Sequence, residues 1–250
     1  MDRLRGKKAL VIGASTGIGA AVCRLFAQEG ADVALTSSGH EKERAQLVQE
    51  IKRQGRTAFE MKCDVFHEDQ VQAAIAETIR HLGHIDILVN NAGGGGHHGP
   101  LATETSEEFE QIIKLNLRSV WYGMRYALPH MIERRYGRIV NDASQLAHKP
   151  APGNASYCAT KAAVVALSSA VAYEVADYGI TVNCVCPGPT DTPLWRSYPE
   201  DWRQWKVNSL PIKRVSMPEE QAWAFVYVAS DEAAYLTGQS ISPNGGDVMW

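Results

Sequence analysis

With 250 residues, 45% of them hydrophobic and 21% charged, the chain has the composition of an ordinary globular protein with a sizeable core. Its net charge of −3, without a long basic run, argues against nucleic acid or an anionic membrane surface as a partner. No apolar run approaches the roughly 20 residues that span a bilayer. The charged start MDRLRGKK has no signal-peptide core, so a cytoplasmic location is expected.

The first recognisable unit is a buried strand followed by a glycine-rich turn and a helix. Residues 8–12 form a short apolar run, GASTGIG occupies residues 13–19, and a helical pattern continues to Gln28 before Gly30. Glycines let the backbone approach a pyrophosphate, and the helix N-terminus offers free N–H groups. The spacing is Gly-x-x-x-Gly-x-Gly, not the commoner Gly-x-Gly-x-x-Gly. Its position between strand and helix nevertheless favours phosphate binding over a plain turn.

Strands and helices alternate through the rest of the chain. Patterning predicts strands at residues 32–36, 57–62, 86–89, 138–141, 180–186 and 238–242, and helices at 41–54, 68–81, 106–135 and 155–178, with another starting at Pro218. This alternation is typical of parallel strands joined by right-handed crossovers. We therefore predict an α/β fold over residues 1–250, a single doubly wound Rossmann-type parallel sheet of about seven strands with helices on both faces.

Two short patterns resemble metal-ligand pairs but do not predict a metal site. His97 and His98 lie in the glycine-rich loop at residues 93–100, where adjacent side chains point apart and no cysteine or carboxylate has ligand spacing. We expect a mobile rim there, with His97 or His98 at the substrate. Cys184 and Cys186 share a face of a strand without further ligands nearby. The five cysteines include no C-x-x-C pair, which favours reduced, mostly buried thiols.

Regular patterning fades between residues 190 and 214, where four aromatic side chains cluster: Trp195, Tyr198, Trp202 and Trp205. Such a run usually forms either a lid over an apolar pocket or a subunit contact. We favour the lid.

The segment from Ser144 to Lys161 carries the candidate chemistry. Tyr157 and Lys161 are four residues apart, so they share one face of a helix that starts near Ala155. A nearby ammonium is expected to lower the pKa of a phenol, whose reference value near 10 is too high for efficient acid–base work at neutral pH. Taken alone, this pair is more often a solvated surface contact. Ser144 and the upstream glycine turn favour a functional role.

The chain resembles the short-chain dehydrogenase/reductase family over essentially its whole length. The matching residues are Gly13, Gly17, Gly19, Asp64, Asn90 to Gly93, Asn116, Ser144, Tyr157, Lys161, Pro187 and Gly188. Pro218-Glu219-Glu220 and Leu236-Thr237-Gly238-Gln239 favour the 3-oxoacyl-carrier-protein reductase branch and its relatives that act on alicyclic alcohols and acyl thioesters.

The resemblance implies hydride transfer between NADP(H) or NAD(H) and a ketone or secondary alcohol of a fairly apolar or ring-bearing small molecule. Tyr157 would be the general acid or base, Lys161 would lower its pKa and hold the nicotinamide ribose, and Ser144 would stabilise the substrate oxygen. Asn116 would hold a water that relays protons, and the helices with Asn116 and Tyr157 would pair subunits in a homotetramer. No metal is implied.

The resemblance also assigns residues to each ligand. The cofactor would be held by Gly13, Ser15, Thr16, Gly17, Ile18, Gly19, Ser37, Ser38, Asp64, Val65, Asn91, Ala92, Gly93, Tyr157, Lys161, Pro187, Gly188, Thr190 and Thr192. Ser144, Tyr157, His97 and Trp195 would contact substrate. Alternatives are a 3-oxoacyl thioester reductase or 3-hydroxyacyl-CoA-type dehydrogenase, an enzyme of dehydration or epimerisation, and a non-catalytic dinucleotide-binding protein.

Three positions depart from the family pattern. Ile12 replaces a threonine beside the glycine turn, and Asp142 occupies a normally apolar position just before Ser144. At the end of the second strand, Ser37 and Ser38 replace the acid that would bind the ribose 2′-OH of NAD. Without a carboxylate to repel a 2′-phosphate, NADP(H) is favoured, with NAD(H) as the alternative.

Overall fold

A twisted parallel sheet of seven strands organises the computed structural model, which describes residues 2–249. The strand order is β3-β2-β1-β4-β5-β6-β7, and every pair is parallel. The elements are β1 Lys8–Ile12, α1 Gly17–Gln28, β2 Asp32–Ser37, α2 Glu41–Arg53, β3 Ala58–Lys62, α3 Glu68–Leu82, β4 Ile87–Asn90, α4 Ser106–Ile113, α5 Ser119–Arg134, β5 Gly137–Asp142, α6 Ala155–Val175, β6 Ile180–Val185, α7 Pro193–Arg196, α8 Glu200–Ser209, α9 Pro218–Ala229 and β7 Ser240–Ile241. The predicted fold class is confirmed.

The order of the strands reverses beside β1, which pairs with β2 on one side and β4 on the other. A doubly wound sheet opens a crevice at such a switch point, outside the carboxyl ends of its strands. The glycine turn after β1 and the Asn90–Gly93 segment after β4 therefore meet at one edge. The topology explains why residues so distant in sequence form one cleft.

Two apolar layers cover the sheet, because its strands are buried on both faces. On one face α1, α2 and α9 pack against the strands around Phe26, Leu35 and Phe225. On the other face α3, α5 and α6 pack around Leu88, Met124 and Val182. Each layer anchors one wall of the cleft.

Regular structure differs from prediction in three places. The predicted helix over residues 106–135 consists of α4 and α5, joined by a π-helical turn at Lys114–Arg118. Residues 190–214, predicted to be irregular, contain α7 and α8. The last strand, β7, has only two residues. A capping box formed by Thr105 and Glu108 begins α4.

One segment of residues 2–249, Ala155–Tyr178, has the length and mean hydropathy, 1.3, of a membrane-spanning helix. It is not a continuous apolar run, because Lys161, Glu174 and Asp177 interrupt it. The segment consists of α6 and a following 3₁₀ turn, and α6 packs along β6. A core helix passes the same test, so the length of α6 does not by itself indicate a membrane span.

Candidate active site

Four predicted catalytic side chains converge at the carboxyl end of β5. Ser144 follows this strand, Tyr157 and Lys161 project from the first turns of α6, and Asn116 lies in the π-helical turn. The hydroxyl of Ser144 lies close enough to the phenol of Tyr157 to lower its pKa by hydrogen bonding. Lys161 Nζ lies 5.8 Å from the centre of the Tyr157 ring. The N–H of Leu146 donates to Ser144 Oγ at 3.1 Å, which leaves the hydroxyl proton of Ser144 free to donate.

The electrostatics of Tyr157 differ from the expectation. Burial raises the pKa of the phenol, the hydrogen bond from Ser144 opposes this shift, and the charge of Asp142 raises the pKa further. The predicted lowering by Lys161 is therefore not the dominant effect in this structure. The reason is geometric, because Lys161 Nζ donates to the backbone oxygen of Asp142 at 2.7 Å instead of bonding the phenol.

Asn116 is completely buried, and its side chain binds a neighbouring loop. Its Oδ1 accepts from the N–H of Gly94 and its Nδ2 donates to the C=O of Gly94, both at 3.0 Å. A Cβ built on Gly93 would lie 2.9 Å from Asn116 Oδ1 and 3.4 Å from Lys161 Nζ. The π-helical turn, a distortion often found at functional sites, thus joins the loop after β4 to Lys161.

A cleft of about 320 Å³ lies beside these residues, along the switch point of the sheet. It is lined by thirteen of the predicted cofactor residues, Gly13, Ser15, Thr16, Gly17, Ile18, Ser37, Ser38, Asp64, Val65, Asn91, Ala92, Gly93 and Thr192, together with Cys63, Phe66, Leu115, Asp142, Pro193 and Leu194. The other six predicted cofactor residues, Gly19, Tyr157, Lys161, Pro187, Gly188 and Thr190, are not part of this lining. Thr190 is buried, and its hydroxyl donates to the carbonyl of Gly188.

The glycine turn is built for close approach. Gly13 has a φ of 86°, and a Cβ on it would lie 2.5 Å from the backbone of Ala92. A Cβ on Gly19 would lie 2.2 Å from the carbonyl oxygen of Gly13, which also accepts from the side chain of Asn91 at 2.5 Å. No side chain caps α1, and no acidic residue lies in its first turn. The free N–H groups at this end suit a phosphate.

At the far end of the cleft, the turn after β2 contains a buried arginine that the sequence did not indicate. Arg44 comes from α2, and its Nη1 donates to the carbonyl oxygens of Ser37 and Gly39 and to Ser37 Oγ. Its Nε is paired with Glu60 on β3. The hydroxyl of Ser37 donates to Gly39, whereas Ser38 is exposed. Only Ser38 of the two serines is therefore directed to solvent at this end.

The aromatic residues of α7, α8 and the turn between them form a cluster of contacting rings. Tyr198 stacks on Trp202 at 4.7 Å between ring centres, and Trp195 lies 5.7 Å from Trp202. The pKa of Tyr198 is raised to about 12, first by burial and then by the charge of Tyr157, which places the two phenols close together. Trp202 contacts the other three rings, and Trp195 is buried. Tyr198 was predicted as part of the aromatic segment but not as a substrate contact, and it lies near Tyr157.

The two loop histidines have different positions. The Nε2 atom of His97 lies 2.9 Å from Thr103 Oγ1, and its Nδ1 atom lies 3.5 Å from Glu108. The ring of His98 instead packs edge-on against Tyr198 at 5.0 Å. The glycine loop therefore turns His97 towards α4 and places His98 beside Tyr198.

Within residues 2–249, no group of three His, Cys, Asp or Glu side chains is placed to hold a metal ion. The five cysteines are all buried and unpaired, as the sequence predicts.

Comparison with known proteins places these features in a family. Residues 13–247 match the family model described as enoyl-(acyl carrier protein) reductase. The chain is 36% identical over 243 residues to a 3-oxoacyl-[acyl-carrier-protein] reductase of Staphylococcus aureus, covering 97% of this chain and 98% of that one. It is 35% identical over 245 residues to a 2,5-dichloro-2,5-cyclohexadiene-1,4-diol dehydrogenase of Sphingobium indicum, covering 98% and 97%.

A solved structure is similar to this chain in three dimensions. It is a blue fluorescent protein from a metagenomic library in complex with NADPH, with a TM-score of 0.93 and 33% sequence identity. The match covers 99% of this chain and all of that one.

Proposed function

The chain belongs to the short-chain dehydrogenase/reductase family, and we propose that Tyr157 is the proton donor and acceptor of its reaction. The protein is an NAD(P)-dependent oxidoreductase that acts on the CH–OH and C=O groups of small molecules. The observation that supports this role is the contact of the Tyr157 phenol with Ser144, beside a buried Lys161 and the open cleft.

When bound in the cleft, the nicotinamide supplies or accepts the hydride. In ketone reduction, Tyr157 donates its proton to the carbonyl oxygen as a C–H bond forms at the carbonyl carbon. Ser144 donates a hydrogen bond to the same oxygen and stabilises its developing negative charge. Because burial raises the pKa of Tyr157, the phenol is protonated at neutral pH and ready to act as the acid. Asn116 is proposed to hold a water on the proton path near Lys161.

The residues of the cleft fit a dinucleotide. Gly13 and Gly17 adopt positive φ, and with the uncapped start of α1 they form a cradle with free backbone N–H groups. Asp64 and Val65 line the end where an adenine would lie. We propose that Ser38, together with the guanidinium of Arg44 behind it, favours NADP(H) over NAD(H). Arg44 is paired with Glu60, so we expect a preference and not complete selectivity.

The substrate is proposed to be a ring-bearing ketone or secondary alcohol, with residues 190–214 as its lid. The support is the packing of Tyr198 and His98 beside Tyr157, which offers flat aromatic surfaces. The chain is 35% identical to the 2,5-dichloro-2,5-cyclohexadiene-1,4-diol dehydrogenase, whose name specifies a ring-bearing substrate. The alternative is a 3-oxoacyl thioester, and 36% identity to a 3-oxoacyl carrier-protein reductase favours it.

We also propose a homotetramer of single-domain subunits. Two separate apolar surfaces support it. One is a cavity of about 510 Å³ beside α4, α5 and α6, lined in part by Leu117, Trp121 and Leu167. The other includes the half-exposed Trp223 and Tyr227 of α9. Two distinct faces are what a tetramer with dihedral symmetry requires. Buried, unpaired cysteines fit a reducing compartment such as the cytoplasm.

The test is oxidation of NADPH in the presence of cyclic ketones and of acetoacetyl-CoA, with wild type and Tyr157→Phe. We expect turnover of the cyclic ketones, complete loss of turnover in Tyr157→Phe, and retention of NADPH binding measured by tryptophan fluorescence. Turnover of acetoacetyl-CoA alone would select the thioester alternative. A flat trace on every substrate would overturn the assigned reaction.

A further inference from the structure

Asp142 is the last residue of β5. Its carboxylate lies beside Lys161, and none of the steps above uses this carboxylate. Its Oδ2 lies 3.8 Å from Lys161 Nζ, and the same ammonium donates to its backbone oxygen at 2.7 Å. The side chain of Asp142 is 15% exposed and that of Lys161 is 3% exposed. The two groups therefore interact in a poorly hydrated environment, where opposite charges act on each other more strongly than in water.

The other carboxylate oxygen of Asp142 is not satisfied. Oδ1 is buried and has no hydrogen-bond partner within residues 2–249, although the residue belongs to the lining of the cleft. Buried polar atoms are nearly always paired, and exceptions concentrate at functional sites. The position of Asp142 is thus electrostatically costly for folding, which argues against a purely structural role.

The titratable groups around Asp142 lie in two places, on α6 and in the segment from β6 to Cys186. From α6 these are Lys161 and Tyr157; from the second segment they are the thiols of Cys184 and Cys186. Burial raises the pKa of Cys184 to about 12 and that of Cys186 to about 11, so both thiols are neutral at physiological pH. Lys161 is the charge that opposes the effect of burial on Asp142.

We propose that Asp142 is a positioning residue that fixes the ammonium of Lys161, offsets its charge at Tyr157, and so sets the pH at which Tyr157 exchanges its proton. The proposal rests on the function assigned to Tyr157 above. Its physical basis is that the carboxylate at the end of β5 contacts Lys161 and disfavours the phenolate by like-charge repulsion.

The sign of the effect follows from the two protonation states of Asp142. Burial raises the pKa of Asp142 to about 6, with Lys161 opposing the shift. Above this pH the carboxylate is charged, repels the phenolate and holds the pKa of Tyr157 up. Below it Asp142 is neutral, and the ammonium of Lys161 acts on Tyr157 without an offset. Above about pH 6, a substitution that removes the charge of Asp142 therefore lowers the pKa of Tyr157 relative to wild type.

The experiment compares wild type with Asp142→Asn. The first readout is the pH profile of kcat/KM for alcohol oxidation, which needs the deprotonated phenol. The second is ultraviolet titration of tyrosinate in protein without cofactor, with the Tyr157→Phe trace subtracted. We expect both midpoints to fall by about one pH unit in Asp142→Asn. Glu104→Gln is the matched control, because Glu104 bonds Ser156, the neighbour of Tyr157, but does not face Lys161. Its midpoints should equal those of wild type.

Asp142→Ile serves as a second neutral variant, since an apolar side chain suits a buried strand end. A shift of the same sign in both variants supports a charge effect, and the Ile variant alone decides the matter if Asp142→Asn does not fold. Midpoints that stay in place or rise would overturn the proposal. Turnover by Tyr157→Phe would instead overturn the assigned reaction, and the tyrosinate titration would still report on Asp142 independently.

Discussion

The side chain of Asn116 binds both polar atoms of the Gly94 backbone, with two hydrogen bonds of 3.0 Å each. This contact closes the loop after β4 over the π-helical turn, next to Lys161. One amide side chain thus fixes a loop that lines the cleft and packs near Lys161.

Replacing Asn116 with Ala should both destabilise the protein and impair catalysis. The substitution leaves the N–H and C=O of the half-buried Gly94 without their side-chain partner, at a cost of about 1–3 kcal/mol in the free energy of unfolding. Urea denaturation measures that loss, and NADPH oxidation should show a lower kcat as the loop moves. Asn208→Ala, on the exposed face of α8, is the control and should leave both quantities nearly unchanged. An unaltered urea midpoint in Asn116→Ala would contradict the assigned contact.

Replacing Ser144 with Ala should shift the pH dependence upward. The hydrogen bond from Ser144 lowers the pKa of Tyr157 and opposes the effect of burial, so its loss raises that pKa further. Alcohol oxidation needs the phenolate and appears as pH rises through this pKa, so its rising limb should move to higher pH. Reduction needs the protonated phenol and should keep its activity at neutral pH, lowered about 100-fold by the lost stabilisation of the oxyanion.

The check is the pair of pH profiles of kcat/KM, one for each direction of the reaction. Ser156→Ala is the control, because the hydroxyl of Ser156 bonds Glu104 and not the phenol. A limb that moved to lower pH in Ser144→Ala would refute the assigned hydrogen bond.

The prediction from sequence succeeded for features with a local cause. The alternation of apolar runs with helical periods determines the parallel sheet, and the topology then brings the glycine turn and Asn90–Gly93 to one edge. Tyr157 and Lys161 could be paired because four residues of helix fix their relative position. These inferences need no knowledge of distant contacts.

The features that sequence analysis missed depend on tertiary packing. Arg44 reaches Ser37 and Gly39 only because α2 packs beside β2 and β3, and no local pattern reports this contact. Likewise α8 was missed because the aromatic side chains of Trp202 and Trp205 blur the usual amphipathic period. The predicted lowering of the pKa of Tyr157 by Lys161 is not observed, because burial and the charge of Asp142 raise that pKa.

Replacing Ser38 with Asp should reverse the cofactor preference. A carboxylate at this exposed position would repel a ribose 2′-phosphate and accept a hydrogen bond from the 2′-OH of NAD. We expect kcat/KM for NADPH to fall at least about tenfold, which corresponds to about 1.4 kcal/mol, while the value for NADH stays or rises. Both are measured by cofactor absorbance at saturating ketone. Ser209→Asp adds the same charge at the end of α8 and should leave the ratio unchanged; a parallel change would count against this position of the 2′-phosphate.

Replacing Trp121 with Lys should dissociate the proposed tetramer. The ring of Trp121 is 40% exposed and lines the apolar cavity beside α4, α5 and α6, so a charge there opposes burial in a subunit interface. Light scattering coupled to size-exclusion chromatography gives the mass of the particles directly, and we expect dimers or monomers. Leu101→Lys exchanges an apolar for a charged side chain on another exposed turn and should keep the wild-type mass. A tetramer that survives in Trp121→Lys would exclude this face as an interface.

Replacing Gly13 with Ala should destabilise the protein and weaken cofactor binding in the cleft. A Cβ at this position would lie 2.5 Å from two backbone atoms of Ala92, and a φ of 86° is unfavourable for alanine. Strain and overpacking together should cost about 2–5 kcal/mol, measured as a lower urea midpoint, with weaker NADPH binding by tryptophan fluorescence. Gly39→Ala is the matched control at the other end of the cleft, where a Cβ would have no atom within 4 Å and φ is not positive. Because alanine restricts the unfolded chain, Gly39→Ala should be neutral or more stable by up to about 1 kcal/mol. Equal stabilities for the two variants would show that the turn after β1 is not held against β4 as closely as the structure indicates.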